Sequence, residues 1–430
     1  MEAPISPGRR TLLKAGALTL ATPVIGAVAQ PAASHQEATT FDLWVISDSH
    51  VGTDKAASAG IQHGLVGFKP PPVYPESLAE ALRQSEKGGA FGGPPIKWDI
   101  ALNLGDYAGF WDAPDDEQGA EVIRQYAVLE QHRREQVYNI AGNHDASPFG
   151  APTSEGKEVN WWFRKWADPI GEHTATSGVD PAKRPYPIDG TWERYAFKVG
   201  NLRFLMMSDR NDLPYPVGRK AAGGASPAGA VTAETFSWWK KQVESSADEI
   251  VVTCHHHMLR ETTVGSGDYE GVTKNPDGTY RSGKYHGPDG VPEGASYLYF
   301  VVARVSDADG AGSGTSWYKP KAQAFESYLA AHPGAIDLWL GGHTHTHPDD
   351  VLNGRSHVER KWGVNFVNCA QLSKFHSYVT CPPMSRHFTF TEGSRLVRVR
   401  CYLHDDTHAA EGWYPNAERV LELSKPFYRS

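Results

Sequence analysis

Gly142-Asn143-His144-Asp145 closes an apolar run, Val137 to Ala141, with residues able to do chemistry at a strand end. Asn143 offers a neutral oxygen ligand, His144 a proton carrier near neutral pH, and Asp145 a carboxylate able to orient that imidazole. Alone, the tetrapeptide reads as a turn, because Gly, Asn and Asp are ordinary turn residues. Its company changes the reading. Phe41 to Ser47 leads into Asp48-Ser49-His50, and Asp99 to Leu104 leads into Gly105-Asp106. Glu249 to Cys254 leads into His255-His256-His257, and Ala335 to Leu340 into Gly341-Gly342-His343-Thr344-His345.

Mixed carboxylate, amide and imidazole donors suit borderline divalent metals such as Zn, Mn, Fe or Co, whereas a thiolate-rich set would indicate otherwise. Two such ions about 3.5 to 4 Å apart can share a hydroxide, lower its pKa and clamp the oxygens of a phosphoryl group during in-line attack. His144, where it is not taken up as a ligand, is then free to donate a proton to the leaving oxygen or to stabilise transition-state charge, with Asp145 orienting it.

Five strand ends must meet for this chemistry. Short β-branched and aromatic runs bounded by glycine read as buried strands, and in open α/β sheets the site lies beyond their carboxyl ends. Helices are expected from Pro75 to Lys87, from Asp115 to Arg134, from Thr232 to Ser246 with Thr232 as cap, and from Lys321 to Ala331. Trp161-Trp162-Phe163 and Trp166 read as a short helix packed on a sheet more readily than as a substrate platform. Trp192 to Ser208 reads as a hairpin turning at Gly200-Asn201, with Asp209-Arg210-Asn211 at its strand end. Arg386 to His404 alternates like two antiparallel edge or second-sheet strands around Glu392-Gly393. Residues 258–316, rich in Gly, Asp and Tyr, are too long for a simple loop and read as a lid or substrate-shaping insertion.

The order D-x-H, G-D, G-N-H-D, H and G-H-x-H, spanning Asp48 to His345, resembles the calcineurin-like metallophosphoesterase superfamily. The resemblance implies an α/β fold, a two-sheet β-sandwich flanked by helices, with two metal ions at the strand ends. By position, Asp48, His50, Asp106 and His345 would hold one metal, and Asp106 would bridge to a second held by Asn143, His255 and His343. Within the histidine run, His255 is chosen because it directly follows the strand, with His256 second. His347, His376 and His387 read as surface at least as readily as pocket lining. Purple acid phosphatases carry a Tyr three residues after the bridging Asp and a D-x-G first motif, whereas this chain has Gly109 and D-x-H, so an iron-tyrosinate site is not expected. The short stretch after His345 does not suit the C-terminal substrate domain of exported 5'-nucleotidases.

Arg9-Arg10-Thr11-Leu12-Leu13-Lys14 is a twin-arginine pattern before the weakly apolar Ala15 to Val28, and Ala27-Val28-Ala29 is a small-residue cleavage site. Residues 1–29 therefore read as an export signal. The apolar part is shorter than the roughly 20 residues a span needs and contains Gly16, Pro23 and Gly26, so no stable membrane anchor is expected. A phosphoesterase domain over 40–404 and a tail over 405–430 follow. Four cysteines are too few for a disulfide framework, although Cys369 and Cys381 could pair in an oxidising compartment. A net charge of -8 without a basic run offers no nucleic-acid surface. The expectation is an exported hydrolase of a small phosphodiester or phosphomonoester using two divalent transition-metal ions. The rivals are a pyrophosphatase-type hydrolase and, from another class, a binding module that keeps the fold and would have lost ligands.

Overall fold

The five apolar runs that end in site residues are all strands, shared between two sheets. In this computed structural model, the described residues are 39–51, 76–108, 114–145, 160–210, 228–268, 270, 296–302, 323–369, 371–373 and 382–429. The strands are β1 (Thr40–Ile46), β2 (Ile100–Asn103), β3 (Val137–Asn139), β4 (Asp189–Gly190), β5 (Arg194–Val199), β6 (Leu202–Met207), β7 (Gly229–Thr232) and β8 (Ile250–His255). They continue with β9 (Leu298–Val302), β10 (Leu338–Gly341), β11 (Val358–Lys361), β12 (Val364–Asn368), β13 (Met384–Thr391), β14 (Leu396–Leu403), β15 (Gly412–Trp413) and β16 (Arg419–Glu422). The helices are α1 (Ser77–Lys87), α2 (Asp116–Tyr126), α3 (Trp161–Trp166), α4 (Thr174–Ser177), α5 (Ala233–Glu244) and α6 (Ala324–Ala331).

The first sheet has the order β15-β14-β13-β1-β2-β3, with β16 on β14, and the second β11-β12-β10-β8-β6-β5-β4. Strand alternation builds three apolar layers from this. Phe41, Leu43 and Val45 of β1 face inward and meet Phe204, Met206, Ile250, Val252 and Leu340 of the second sheet. Trp44 and Ile46 face outward and are covered by Leu78 and Leu82 of α1, Val122 of α2 and Trp162 of α3. On the far side, Val251 and Trp339 lie under Trp239 of α5 and Phe325 and Leu329 of α6. Each such side chain contributes roughly 1.5 to 3 kcal/mol when buried. The result is the expected two-sheet sandwich flanked by helices, and the tryptophans of α3 are packing.

Register sets where the site can be. Ile46 pairs with Asn103 and Asn103 with Asn139, so the carboxyl ends of β1, β2 and β3 are level. In the second sheet Met207 pairs with His255 and Leu340 with Cys254, which levels β6, β8 and β10. The loops after these six strands share one rim.

Some elements differ from the sequence reading. The helix expected to reach Arg134 ends at Tyr126, because the Glu86 carboxylate accepts the backbone N–H groups of Glu130, Gln131 and His132 at 2.8 to 3.0 Å, outside any helix. Strand β13 is neither an edge nor in the other sheet: it lies between β1 and β14, with Phe388 and Phe390 in the central layer. Residues after His404, read as a tail, supply β15 and β16 to the first sheet. Thr232 does cap α5, its hydroxyl accepting from the Thr235 N–H at 3.2 Å. Within 258–316, β9 pairs in parallel with β7, a strand with no clear signal in the sequence. Residues 271–295 and 303–322, Cys381 and the segment 1–29 lie outside the described residues, and with them the lid, the Cys369–Cys381 pairing and the export signal. Among the described residues no helix is long and apolar enough to cross a membrane.

Candidate metal centre

The rim is built from backbone that ordinary residues avoid. Asp48, His50, Asp106 and His343 have φ of 55°, 43°, 54° and 69°, a left-handed conformation that costs side-chain-bearing residues roughly 1 to 3 kcal/mol each and persists where the surroundings enforce it. The enforcement is visible. Asp48 N–H donates to Gly105 O at 2.9 Å and His50 N–H to Asp106 O at 3.0 Å, stitching the β1 and β2 loops together. His343 N–H donates to Asp48 Oδ2 at 2.9 Å, tying the second sheet to the first. His144 N–H donates to Asp106 Oδ1 at 2.7 Å. A Cβ at Gly142 would lie 2.2 Å from that same oxygen, so only glycine allows the G-N-H-D loop to approach.

Asp48, His50 and His345 form one group. His345 Nε2 is 2.8 Å from Asp48 Oδ1 and 3.3 Å from His50 Nε2, and all three residues are buried. Asp106, His256 and His343 form a second. His256 Nε2 is 3.2 Å from Asp106 Oδ2 and 3.9 Å from Asp48 Oδ1, so the two groups adjoin. His50 Nε2 also lies 3.7 Å from Asp106 Oδ2. Asn143 is buried on the same loop as His144.

The histidine at the end of β8 that joins Asp106 is therefore His256, where the sequence reading preferred His255. Alternation explains the difference: Ile250, Val252 and Cys254 point into the central layer, whereas Val251 points toward α5 and Thr253 accepts the Trp239 indole N–H at 3.0 Å. His255 continues that outer series. His256, just past the strand, turns back to the centre, and its Nδ1 is fixed at 2.8 Å on the Leu104 carbonyl, leaving Nε2 for the site.

His144 is half-buried and its ring stands edge-on to His50, with centroids 4.9 Å apart. Asp145 does not orient it as expected. Its Oδ2 accepts the N–H groups of Gly142 and Asp106 and its Oδ1 that of Tyr107, each at 2.8 Å. Asp145 thus positions the loop that carries Asp106. Of the other histidines considered, His387 sits 2.7 Å from the Lys97 carbonyl and packs on Trp413, His347 lies beside His408, and His376 is outside the described residues.

The electrostatics ask for cations. Burial alone would lower the His256 imidazole, but Asp106 and Asp48 beside it overcome that and push it up to about 10. Burial works against the Asp48 carboxylate as well, yet His256 and His345 hold it well below the ordinary range. His343 and His50 are kept neutral by burial, which leaves lone pairs to give. His343 Nε2 is buried without a hydrogen-bond partner among the described residues. Carboxylates facing neutral imidazoles in a closed space are the donor set of a borderline divalent ion. One neighbouring set was not assembled by sequence reasoning: Asp209, His255 and His257, which also converge.

The model of the calcineurin-like phosphoesterase family matches residues 41–294, more than half of the chain. No curated protein matches. Among solved structures, Vacuolar Protein Sorting 29 from Cryptosporidium parvum is 11% identical, covering 91% of this chain and 99% of that one with a TM-score of 0.26. A Vps29 single mutant from Entamoeba histolytica is 10% identical (90% and 100% covered, TM-score 0.26). A metallophosphoesterase from Sphaerobacter thermophilus is 12% identical (91% and 90% covered, TM-score 0.24).

Proposed function

The chain belongs to the calcineurin-like phosphoesterase family, and we propose that it hydrolyses a small phosphomonoester or phosphodiester with two divalent transition-metal ions. The observation that carries this reading is the pair of adjoining buried groups, joined where His256 faces both Asp106 and Asp48. Asp48, His50 and His345 would hold one ion, and Asn143, His256 and His343 the other. Asp106, whose Oδ2 faces both His50 and His256, would serve both.

When bound, such ions supply an activated water and neutralise charge on the phosphoryl oxygens. The chain's own residues do the rest. The left-handed turns at Asp48, His50, Asp106 and His343 fix the donors before any ion arrives. His144 is half-buried and beside His50, within reach of a substrate at the rim and suited to protonate a leaving oxygen.

The test is a screen of metal-loaded protein against aryl phosphomonoesters and diesters, with Asp106→Ala as control. Hydrolysis that Asp106→Ala abolishes, together with loss of both ions, is the expected result. A fully loaded wild type that hydrolyses neither ester class would return the reading to a pyrophosphatase or a binding module. The twin-arginine segment further supports export: replacing Arg9 and Arg10 together by Lys should leave the precursor in the cytoplasm, because the pair is a receptor-read address.

A further inference from the structure

A third group of ligand-bearing side chains stands beside the two just described. Asp209 follows β6, while His255 and His257 stand at the end of β8, the parallel neighbour of β6. All three are fully buried. Asp209 Oδ2 is 3.1 Å from His257 Nδ1 and 3.8 Å from His255 Nε2, and one donor atom from each residue lies within 4.8 Å of the others. The backbone holds Asp209 in place: its N–H donates to Ala141 O at 2.9 Å, and its Oδ2 accepts the Ala230 N–H at 3.1 Å.

An ordinary Asp–His ion pair would account for the 3.1 Å contact of His257 but not for the rest. His255 Nε2 lies beyond hydrogen-bond distance of Asp209, and among the described residues neither it nor Asp209 Oδ1 has a hydrogen-bond partner. Leaving a buried polar atom unsatisfied is costly, and here two such atoms belong to one convergent set. The ring of His255 is held by the His257 main chain, whose N–H lies 3.0 Å and whose carbonyl 3.3 Å from its Nδ1, and this leaves Nε2 as the ring atom that faces Asp209. Opposite, Gly229 makes room, since a Cβ at that position would lie 2.7 Å from His257 Cγ and Nδ1.

We propose that Asp209, His255 and His257 form a third cation site for a borderline divalent ion such as Zn2+ or Mn2+. Two imidazoles and a carboxylate match the donor preference of such ions, and three protein ligands leave a coordination position open. The site would extend the row already present. The His257 ring is 4.1 Å from that of His343 and 5.0 Å from that of His256, so a third ion would sit next to the Asp106 group. An open position there could meet the substrate's phosphoryl oxygens or leaving group from the β6 side.

The experiment counts and locates ions, using metal-free protein reconstituted with Zn2+ alone, with no phosphate. Elemental analysis should give close to three ions per chain for wild type and close to two for Asp209→Asn. Anomalous scattering at the zinc edge should place the third ion among Asp209, His255 and His257. His255→Gln guards against misfolding of the Asp209 variant and should lose the same ion. Two ions in wild type, none of them at this group, would overturn the proposal and leave the two-metal reading intact. An ion here with the Asp48 and Asp106 groups empty would uphold the proposal and sink that reading instead.

Discussion

His256 Nε2 lies 3.2 Å from Asp106 Oδ2, a contact that crosses from the end of β8 in one sheet to the end of β2 in the other. Its neighbour His255 turns to the opposite side and faces Asp209 at 3.8 Å. The two histidines should therefore be separable. His256→Ala should lose the ion associated with Asp106 and most of the hydrolytic activity, with metal affinity down by 10- to 100-fold or more, because a direct ligand matters at least as much as the groups behind it. His255→Ala should leave the ions at the Asp48 and Asp106 groups in place. Metal titration of the two variants decides it, and the reverse pattern would make His255, not His256, the ligand beside Asp106.

The strand ends were legible because buried parallel strands announce themselves twice, as apolar runs and as polar residues immediately after them. That singled out Asp48, His50, Asp106, Asn143, His343 and His345, and each of them lies on the shared rim or the loops beside it. It could not decide within His255-His256-His257, because the answer depends on where β8 stops: one residue of difference exchanges the faces. Asp209 was visible only as a carboxylate after a strand, with nothing in the local pattern to tie it to histidines nearly fifty positions later. Strands β7, β9, β15 and β16 gave no such double signal: they are short, and none of them leads into a cluster of Asp, His or Asn as the equally short β2, β3 and β10 do.

Asp145 is a positioning residue, and its substitution should act on stability and metal retention together. Asp145→Ala removes the acceptor for three buried backbone N–H groups, those of Gly142, Asp106 and Tyr107. At about 1 to 3 kcal/mol for each donor left unsatisfied, a loss of several kcal/mol is expected unless water enters. Urea unfolding of the metal-free protein should show most of that loss in Asp145→Ala and less in Asp145→Asn, which keeps one acceptor oxygen. An unchanged midpoint in Asp145→Ala would contradict the positioning role.

Acid sensitivity should arise away from the metal groups as well. Burial lowers His404 to about 3, and burial followed by Arg400 lowers His387 to about 4. In the unfolded chain both return to roughly 6.5. Below that value the unfolded state binds protons that the folded state refuses, so the sign is destabilising as pH falls. The slope is up to about 1.4 kcal/mol per pH unit for each histidine, between roughly 6.5 and about 4 for His387 and down to about 3 for His404, levelling off below. Unfolding in chelator, which removes metal loss from the measurement, should show this decline between pH 7 and 5. His404→Gln should flatten part of it; a slope identical to wild type would assign the acid sensitivity to other groups.

The last prediction separates the work of bound ions from that of His144. Its ring stands edge-on to His50 and its backbone N–H is held by Asp106, but it belongs to neither donor group. His144→Ala should accordingly retain its ions. Proton donation matters most when the leaving oxygen is basic and would otherwise depart as an alkoxide, whereas activation of water by the ions is indifferent to the leaving group. The loss should then be on the order of 100- to 10,000-fold with an alkyl ester, as for other general acids, and much smaller with a nitrophenyl ester that needs no proton. An equal loss on both esters would instead assign the imidazole to stabilising charge on the phosphoryl oxygens. Loss of an ion from His144→Ala would mean that the ring reaches a metal after all.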